Sequence, residues 1–121
     1  MCASKYALSN LTFVLDYNRY QLSGAVDRVM PLEPLEQKWQ SFGFGVQRID
    51  GHDIEQIIDA LLEANEQKNQ PTMIVLNTVK GKGISFMENN IDFHGVPPNE
   101  IEYKLAMKEL ETQQKELEAT L

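Results

Sequence analysis

Two lysines separated by one glycine, Lys80 and Lys82, stand in the segment NTVKGKGISFMEN, directly after the apolar run TMIVLN. Glycines allow backbone N–H groups to approach an anion, and a lysine adds a positive charge. The spacing differs from that of a Walker loop, which requires GxxxxGK followed by Ser or Thr. These residues alone leave two interpretations open, a phosphate-binding loop and a solvated basic turn.

Asn18 and His94 are the other polar side chains whose positions suggest chemistry. Asn18 follows the apolar run LTFVLD by two residues, and its amide oxygen could bind a hard cation such as Mg²⁺. The structural alternative is an Asx-turn, in which the side chain bonds its own backbone. His94, in FHGVPP, could transfer a proton or contact a phosphate, or it could be structural. His52, in DGHD, is interpreted as structural, packing on the start of a helix.

Three strands and three helices are predicted to position these residues. Apolar runs predict strands over residues 11–16, 45–49 and 72–77. Pro34 suits the first turn of one helix, Asp53 is a natural N-cap for the next, and Asn99 with Glu102 forms a capping box for a last helix over about 99–119. The predicted apolar faces of the helices are Leu35, Trp39 and Phe42; Ile54, Ile57, Ile58 and Leu61; and Tyr103, Met107, Leu110 and Leu117.

The alternation of strands and helices with short connections predicts an α/β fold, a parallel sheet with flanking helices. In such sheets ligands bind beyond the carboxyl ends of the strands. The segment DYNRYQLSG leaves the first strand at that edge, and NTVKGKG leaves the third. Both segments are therefore predicted to lie near one crevice.

Composition limits the class of protein. The 121 residues carry a net charge of -7, which argues against binding nucleic acid through its phosphates. No apolar stretch has the length of a membrane span, and MCASKYALSN lacks the features of a signal peptide. The single cysteine, Cys2, excludes an internal disulfide and is predicted to be a buried helix thiol. We expect a cytoplasmic protein with no nucleic-acid or membrane partner.

Five strings taken together resemble the transketolase family, in the family's order and approximate spacing. They are NLTFVLDYNRYQLSG, VMPLEPLEQKW, FGFGVQRIDGHD, NTVKGKGISFMEN and FHGVPPNE. The resemblance runs from about Ala3 to Leu110, and it is strongest to the N-terminal subunit of split, two-gene bacterial transketolases. It implies that residues 1–121 are part of a thiamine-diphosphate-binding α/β domain, the C-terminal part of that fold.

The resemblance also implies roles for individual residues. Asn18 matches the asparagine that holds the divalent metal, Mg²⁺ or another cation such as Ca²⁺, and Tyr20 matches the position whose backbone carbonyl completes that contact. Lys80 matches the lysine that reaches toward the cofactor phosphates. His94 matches the histidine near the diphosphate and the substrate, so it is the candidate catalytic residue and also a cofactor contact. Lys82 receives no role.

Two parts of the family's site are absent from the sequence. The GDG segment, whose aspartate binds the metal, would precede Met1, and the start of the chain resembles the end of a helix. The glutamate that activates the cofactor comes, in the family, from a pyrimidine-binding domain. We therefore expect a fragment that is inactive alone and works with a pyrimidine-binding, C-terminal subunit, in a homodimer or heterotetramer when complete.

The implied activity is a transketolase-type transfer of a two-carbon ketol unit between sugar phosphates, as in the pentose phosphate pathway. Two alternatives stay open. One is a related synthase of the deoxyxylulose-phosphate type, although MPLEPL and FHG-x-x-P-N favour the transketolase branch. The other is a non-catalytic truncated fragment that folds and binds a partner.

Overall fold

A computed structural model describes residues 1–120 of the chain. Helices separate its three longest strands, as the sequence predicts, and the short elements between residues 20 and 29 are additional to the prediction. They are α1 Cys2–Lys5, β1 Thr12–Tyr17, β2 Tyr20–Gln21, β3 Gly24–Ala25, α2 Val26–Val29, α3 Leu35–Ser41, β4 Gly45–Asp50, α4 Ile54–Glu66, β5 Thr72–Asn77, a 3-10 helix Ile91–Phe93 and α5 Glu100–Glu118.

A three-stranded parallel sheet has the order β1-β5-β4. Thr12 and Gly45 both pair with Thr72, and the register continues without a slip to the last residue of each strand. The central strand, β5, has its first four residues buried. Its unbroken apolar sequence is the pattern expected of a parallel strand that is covered on both faces. The predicted parallel α/β sheet with flanking helices is confirmed.

Each face of the sheet carries its own apolar cluster. On one face, Met73 and Val75 pack with Tyr17, Leu35 and Phe44. Trp39 of α3 adds an edge-to-face contact to Phe44, with ring centroids 5.1 Å apart. Such aromatic pairs contribute about 0.5–1.5 kcal/mol beyond the area that they bury.

The opposite face of the sheet corrects the prediction for α4. Ala60 and Ala64 are its buried residues, and they pack on Ile74. Ile54, Ile58 and Leu61 belong to the predicted core stripe but are 67%, 51% and 42% exposed. Small alanines let the helix backbone approach the sheet closely. Three of the four bulky residues are therefore turned away from the sheet and Ile57 is half-buried, which a count of apolar residues cannot reveal.

The helix caps confirm the predictions made from the sequence. The Asp53 carboxylate accepts hydrogen bonds from the backbone N–H groups of Glu55 and Gln56 at the start of α4. Asn99 and Glu102 form the complete capping box at the start of α5. Each such cap contributes about 1 kcal/mol.

Cys2 contradicts its prediction, because its thiol is exposed rather than buried. The helix α1 is four residues long and has no buried residue. A helix of one turn cannot shield its side chains from water, which explains the difference.

The chain divides into two compact units. The first contains Met1–Arg19 and Ala25–Thr78, and therefore the whole parallel sheet. The second contains Tyr20–Gly24 and the residues from Val79 onward, including the loop after β5 and the helix α5. Within residues 1–120, no helix is long and apolar enough to cross a membrane.

Candidate functional site

The carboxyl ends of the three parallel strands lie side by side. Tyr17, the last residue of β1, pairs with Asn77 of β5, which in turn pairs with Asp50 of β4. The hydroxyl of Thr78 donates a hydrogen bond to the Asp16 carboxylate and joins the ends of β1 and β5. This edge of the sheet is where parallel α/β folds bind ligands.

Asn18 is the first residue beyond β1 at this edge. The residue that follows it, Arg19, has a φ of +65°, which is unusual for a residue with a side chain. Strained backbone of this kind concentrates at ligand-binding segments. Tyr20, the other candidate metal contact, begins β2 in the second unit. An amide oxygen and a backbone carbonyl are hard donors of the type that Mg²⁺ and Ca²⁺ prefer.

An arginine that no sequence motif singles out lies near the same edge of the sheet. Arg48 of β4 donates hydrogen bonds to Glu33 at 2.8 Å, to Glu36 at 3.2 Å and to the Asn77 side-chain oxygen at 3.1 Å. Hydrogen bonding from Arg48, and then from the Leu35 backbone N–H, lowers the pKa of Glu33 to about 2. Two carboxylates neutralise this guanidinium, so it is not available to bind a phosphate.

Tyr17 connects this arginine to the segment that carries Asn18. Tyr17 is 5% exposed, and the centroid of its ring lies 5.0 Å from the Arg48 guanidinium. Burial, followed by the neighbouring charge of Glu33, raises the pKa of Tyr17 above its usual value. The residue directly before Asn18 is therefore held by packing and by charge. The sequence feature that could have indicated this contact is the position of Tyr17 and Arg48 near the ends of the first two predicted strands.

The loop after β5 begins with two consecutive tight turns. The Lys82 N–H donates to the Val79 carbonyl at 3.2 Å, and the Ile84 N–H donates to the Gly81 carbonyl at 3.3 Å. Gly81 and Gly83 occupy the third position of each turn with φ of +73° and +98°. Positive φ at that position defines a type II turn and favours glycine. Backbone geometry therefore accounts for the two glycines of the KGKG pattern.

The two lysines of these turns have different surroundings. The Lys82 ammonium lies 3.8 Å from a Glu88 carboxylate oxygen. The Lys80 side chain is half-buried and, among residues 1–120, has no carboxylate within ion-pair distance. Of the two charges, that of Lys80 is the one left for an external anion.

His94 follows the short 3-10 helix and is exposed. Its backbone N–H donates to the Ile91 carbonyl at 2.9 Å, and the neighbouring Gly95 has a φ of +77°. No hydrogen bond within residues 1–120 joins its imidazole to Lys80. His52 is exposed as well, and its N–H bonds the Asp50 carboxylate at the strand end.

The candidate residues fall into both units. Asn18 belongs to the first unit, whereas Tyr20, Lys80 and His94 belong to the second. Within residues 1–120 there is no cluster of three or more His, Cys, Asp or Glu side chains that could hold a metal ion. Taken by type, an amide oxygen and a backbone carbonyl suit a divalent cation, and a lysine without a carboxylate partner suits a phosphate.

Comparison with known proteins shows the same kinship over almost the whole chain. Residues 1–119 match the family described as transketolase, thiamine diphosphate binding domain. A 6-deoxy-6-sulfo-D-fructose transketolase subunit, SqwG, from Clostridium sp. (strain MSTE9) is 43% identical over 92% of this chain and 40% of its own length. An apulose-4-phosphate transketolase subunit from Actinobacillus succinogenes is 36% identical over 91% of this chain and 40% of its own.

A solved structure has the same fold. The transketolase from Campylobacter jejuni superposes with a TM-score of 0.80 at 29% identity, and the match covers 88% of this chain and 17% of that one. The chain thus spans about 40% of the length of its curated relatives from Clostridium and Actinobacillus.

Proposed function

Because this chain belongs to the transketolase family, in its thiamine diphosphate binding domain, we propose that it forms the diphosphate side of a transketolase active site. The domain would comprise residues 1–121 as a partial thiamine-diphosphate-binding domain. The observation that carries the proposal is the unpaired ammonium of Lys80 in a loop of two tight turns at the end of a parallel strand. A half-buried lysine without a carboxylate is suited to a phosphate.

The bound cofactor supplies the nucleophile and the electron sink for transfer of a two-carbon ketol unit. The residues of this chain bind and orient. Lys80 contacts the diphosphate as a point charge. The Asn18 amide oxygen and the Tyr20 backbone carbonyl would hold a divalent cation, Mg²⁺ or Ca²⁺, whose charge would offset that of the phosphates.

His94 is the candidate for proton handling. Its imidazole is exposed, and an imidazole changes charge near neutral pH. We propose that it donates a hydrogen bond or a proton to a reacting oxygen of the sugar, and that it also contacts the diphosphate.

We propose substrates and partners by analogy with the named relatives. Those relatives are called transketolase subunits, and they are named for a sulfonated sugar and a phosphorylated sugar. The proposed substrates are sugar phosphates of the pentose phosphate type, handled in the cytoplasm. The proposed partner is a subunit with the pyrimidine-binding domain, in a homodimeric or heterotetrameric enzyme.

Calorimetric titration with thiamine diphosphate tests the proposal directly. The full-length protein that contains this sequence is titrated with and without Mg²⁺. Binding that requires the metal is expected. Equal affinity with and without the metal would contradict the metal-bridged site, and no binding at all would contradict the proposed function.

A further inference from the structure

The loop that carries Lys80 is held by the last helix, α5. The Ser85 backbone N–H and hydroxyl donate to the two oxygens of the Glu109 carboxylate, at 2.7 Å and 2.6 Å. One turn further along α5, the Gln113 side-chain amide donates to the Gly83 carbonyl at 2.8 Å. Residues four apart share one face of a helix, so a single face of α5 contacts the loop at two positions.

Contacts inside the loop transmit this constraint to Lys80. The Asn89 backbone N–H donates to the Lys80 carbonyl at 2.8 Å and closes the loop. A Cβ atom on Gly81 would lie 2.3 Å from the Met87 carbonyl oxygen, so the backbone segments on the two sides of the loop are in close contact there. The Gly83 N–H donates to Glu88 at 3.1 Å. The loop has little room to change shape while these contacts persist.

We propose that Glu109 and Gln113 are positioning residues that fix the conformation of the loop from Lys80 to Asn89 and, through it, the placement of the Lys80 ammonium. The effect on cofactor binding rests on the proposed function of Lys80. The effect on the loop itself does not. Neither α5 residue is proposed to touch the cofactor.

The alternative is that Glu109 is one more solvated charge on an exposed helix. Both of its carboxylate oxygens accept from one residue of the loop, whereas the side chain of Glu111, two positions along, makes no hydrogen bond or ion pair within residues 1–120. The Ser85 hydroxyl, followed by the Ser85 N–H, lowers the pKa of Glu109, which keeps it ionised as an acceptor. A solvated charge would not show this pairing.

Two measurements on one set of variants test the proposal. The variants are Glu109→Ala, Gln113→Ala and Ser85→Ala, with Glu111→Ala as the control of equal charge on the same helix. Amide hydrogen exchange at Asn89 reports closure of the loop, and titration with thiamine diphosphate and Mg²⁺ reports affinity. We expect Glu109→Ala to speed exchange at Asn89 by about tenfold, as local opening becomes easier, and to weaken affinity.

Ser85→Ala is the milder variant, because it removes the hydroxyl contact and leaves the backbone one, so a smaller change of the same sign is expected. Glu111→Ala should leave both readings unchanged. In a Lys80→Ala background, Glu109→Ala should cause no further loss of affinity. Unchanged exchange at Asn89 in both Glu109→Ala and Ser85→Ala would overturn the inference.

The outcomes also separate this inference from the proposed function. If Lys80→Ala leaves the affinity unchanged, the phosphate role of Lys80 is wrong, and faster exchange at Asn89 in Glu109→Ala still supports the positioning of the loop. If Lys80→Ala weakens binding but Glu109→Ala alters neither reading, the positioning role is wrong and the proposed function stands.

Discussion

At the scale of single residues, the surroundings of a charge decide what it can bind. Lys80 and Lys82 have the same chemistry and lie two residues apart, yet Glu88 is within 3.8 Å of Lys82 alone. The Arg48 guanidinium forms ion pairs with both Glu33 and Glu36. Of these three cations at or after the strand ends, Lys80 is the one we assign to the diphosphate.

The first prediction compares the two lysines. Lys80→Ala should weaken binding of thiamine diphosphate by about tenfold or more, the effect of one charge-assisted hydrogen bond. Lys82→Ala is the matched control, and it should change affinity by less than about threefold, since Glu88 already pairs with that charge. Titration calorimetry measures both variants. Equal losses would contradict the assignment.

The second prediction concerns Asn18. Asn18→Ala should weaken metal-dependent binding of the cofactor by more than about tenfold. Loss of a residue that only orients a metal ligand already costs about tenfold or more, and a direct ligand should cost at least as much. Asn65→Ala, at an exposed position on α4, is the control and should have no effect. The measurement is cofactor affinity as a function of Mg²⁺ concentration. An unchanged metal dependence in Asn18→Ala would remove Asn18 from the site.

At the scale of elements, the loop after β5 is shaped by close backbone approach. Its two type II turns place Gly81 against Met87 and bring Gly83 to Gln113 of α5. The β5 strand ends at Asn77, beside the ends of its two neighbours, so the loop begins at the edge where parallel α/β sheets in general bind ligands. The strand end fixes where the loop begins, and the two turns fix its backbone path around Lys80.

The third prediction contrasts two glycines of similar φ. Gly81→Ala places a Cβ atom 2.3 Å from the Met87 carbonyl oxygen, whereas Gly95→Ala meets no atom within 4 Å. Both variants carry a backbone cost of about 1 kcal/mol for positive φ. Gly81→Ala should cost at least about 2 kcal/mol more, because the loop must move. Denaturant unfolding measures both, and equal losses would contradict the contact.

At the scale of the whole molecule, ion pairs join segments that are distant in sequence. Arg48 of β4 connects to Glu33 and Glu36, which lie before and within α3, and its guanidinium packs on Tyr17 of β1. The segment VMPLEPL is thereby held against the strand ends. The charge of -7 otherwise works against compactness, since like charges repel.

The fourth prediction is a dependence of stability on pH. The pKa of Glu33 falls from 4.5 to about 2 on folding, so its contribution is complete above about pH 4.5 and is lost as the pH falls toward about 2. The Glu33 side chain is 46% exposed, and solvent screening limits the contribution to about 1 kcal/mol.

Glu33→Gln isolates this contribution. The variant should be about 1 kcal/mol less stable than the wild type at neutral pH, and the difference should shrink as the pH falls below about 4.5. Free energies of unfolding across this range provide the test. A difference that stays constant with pH would mean that the Arg48 pair does not carry the effect.

Much of the fold follows from the sequence by itself. The apolar run TMIVLN marks β5 at its observed bounds, and Asp53 and Asn99 mark the starts of α4 and α5, because strand burial and helix capping depend on neighbours along the chain. The family resemblance, carried by short strings in order, is also a property of the sequence. Asn18, Lys80 and His94 stand out by residue type and position, and the resemblance implies their roles, which stay predictions.

Tertiary structure alone decided which face of α4 is buried and which charges are paired. Ala60 and Ala64 cover the sheet in place of Ile58 and Leu61, because close approach favours small side chains over bulky apolar ones. Arg48 meets Glu33 across fifteen residues, and Ser85 meets Glu109 across twenty-four. These contacts depend on how strands and helices pack. The spacing of residues along the chain therefore does not show which of them meet.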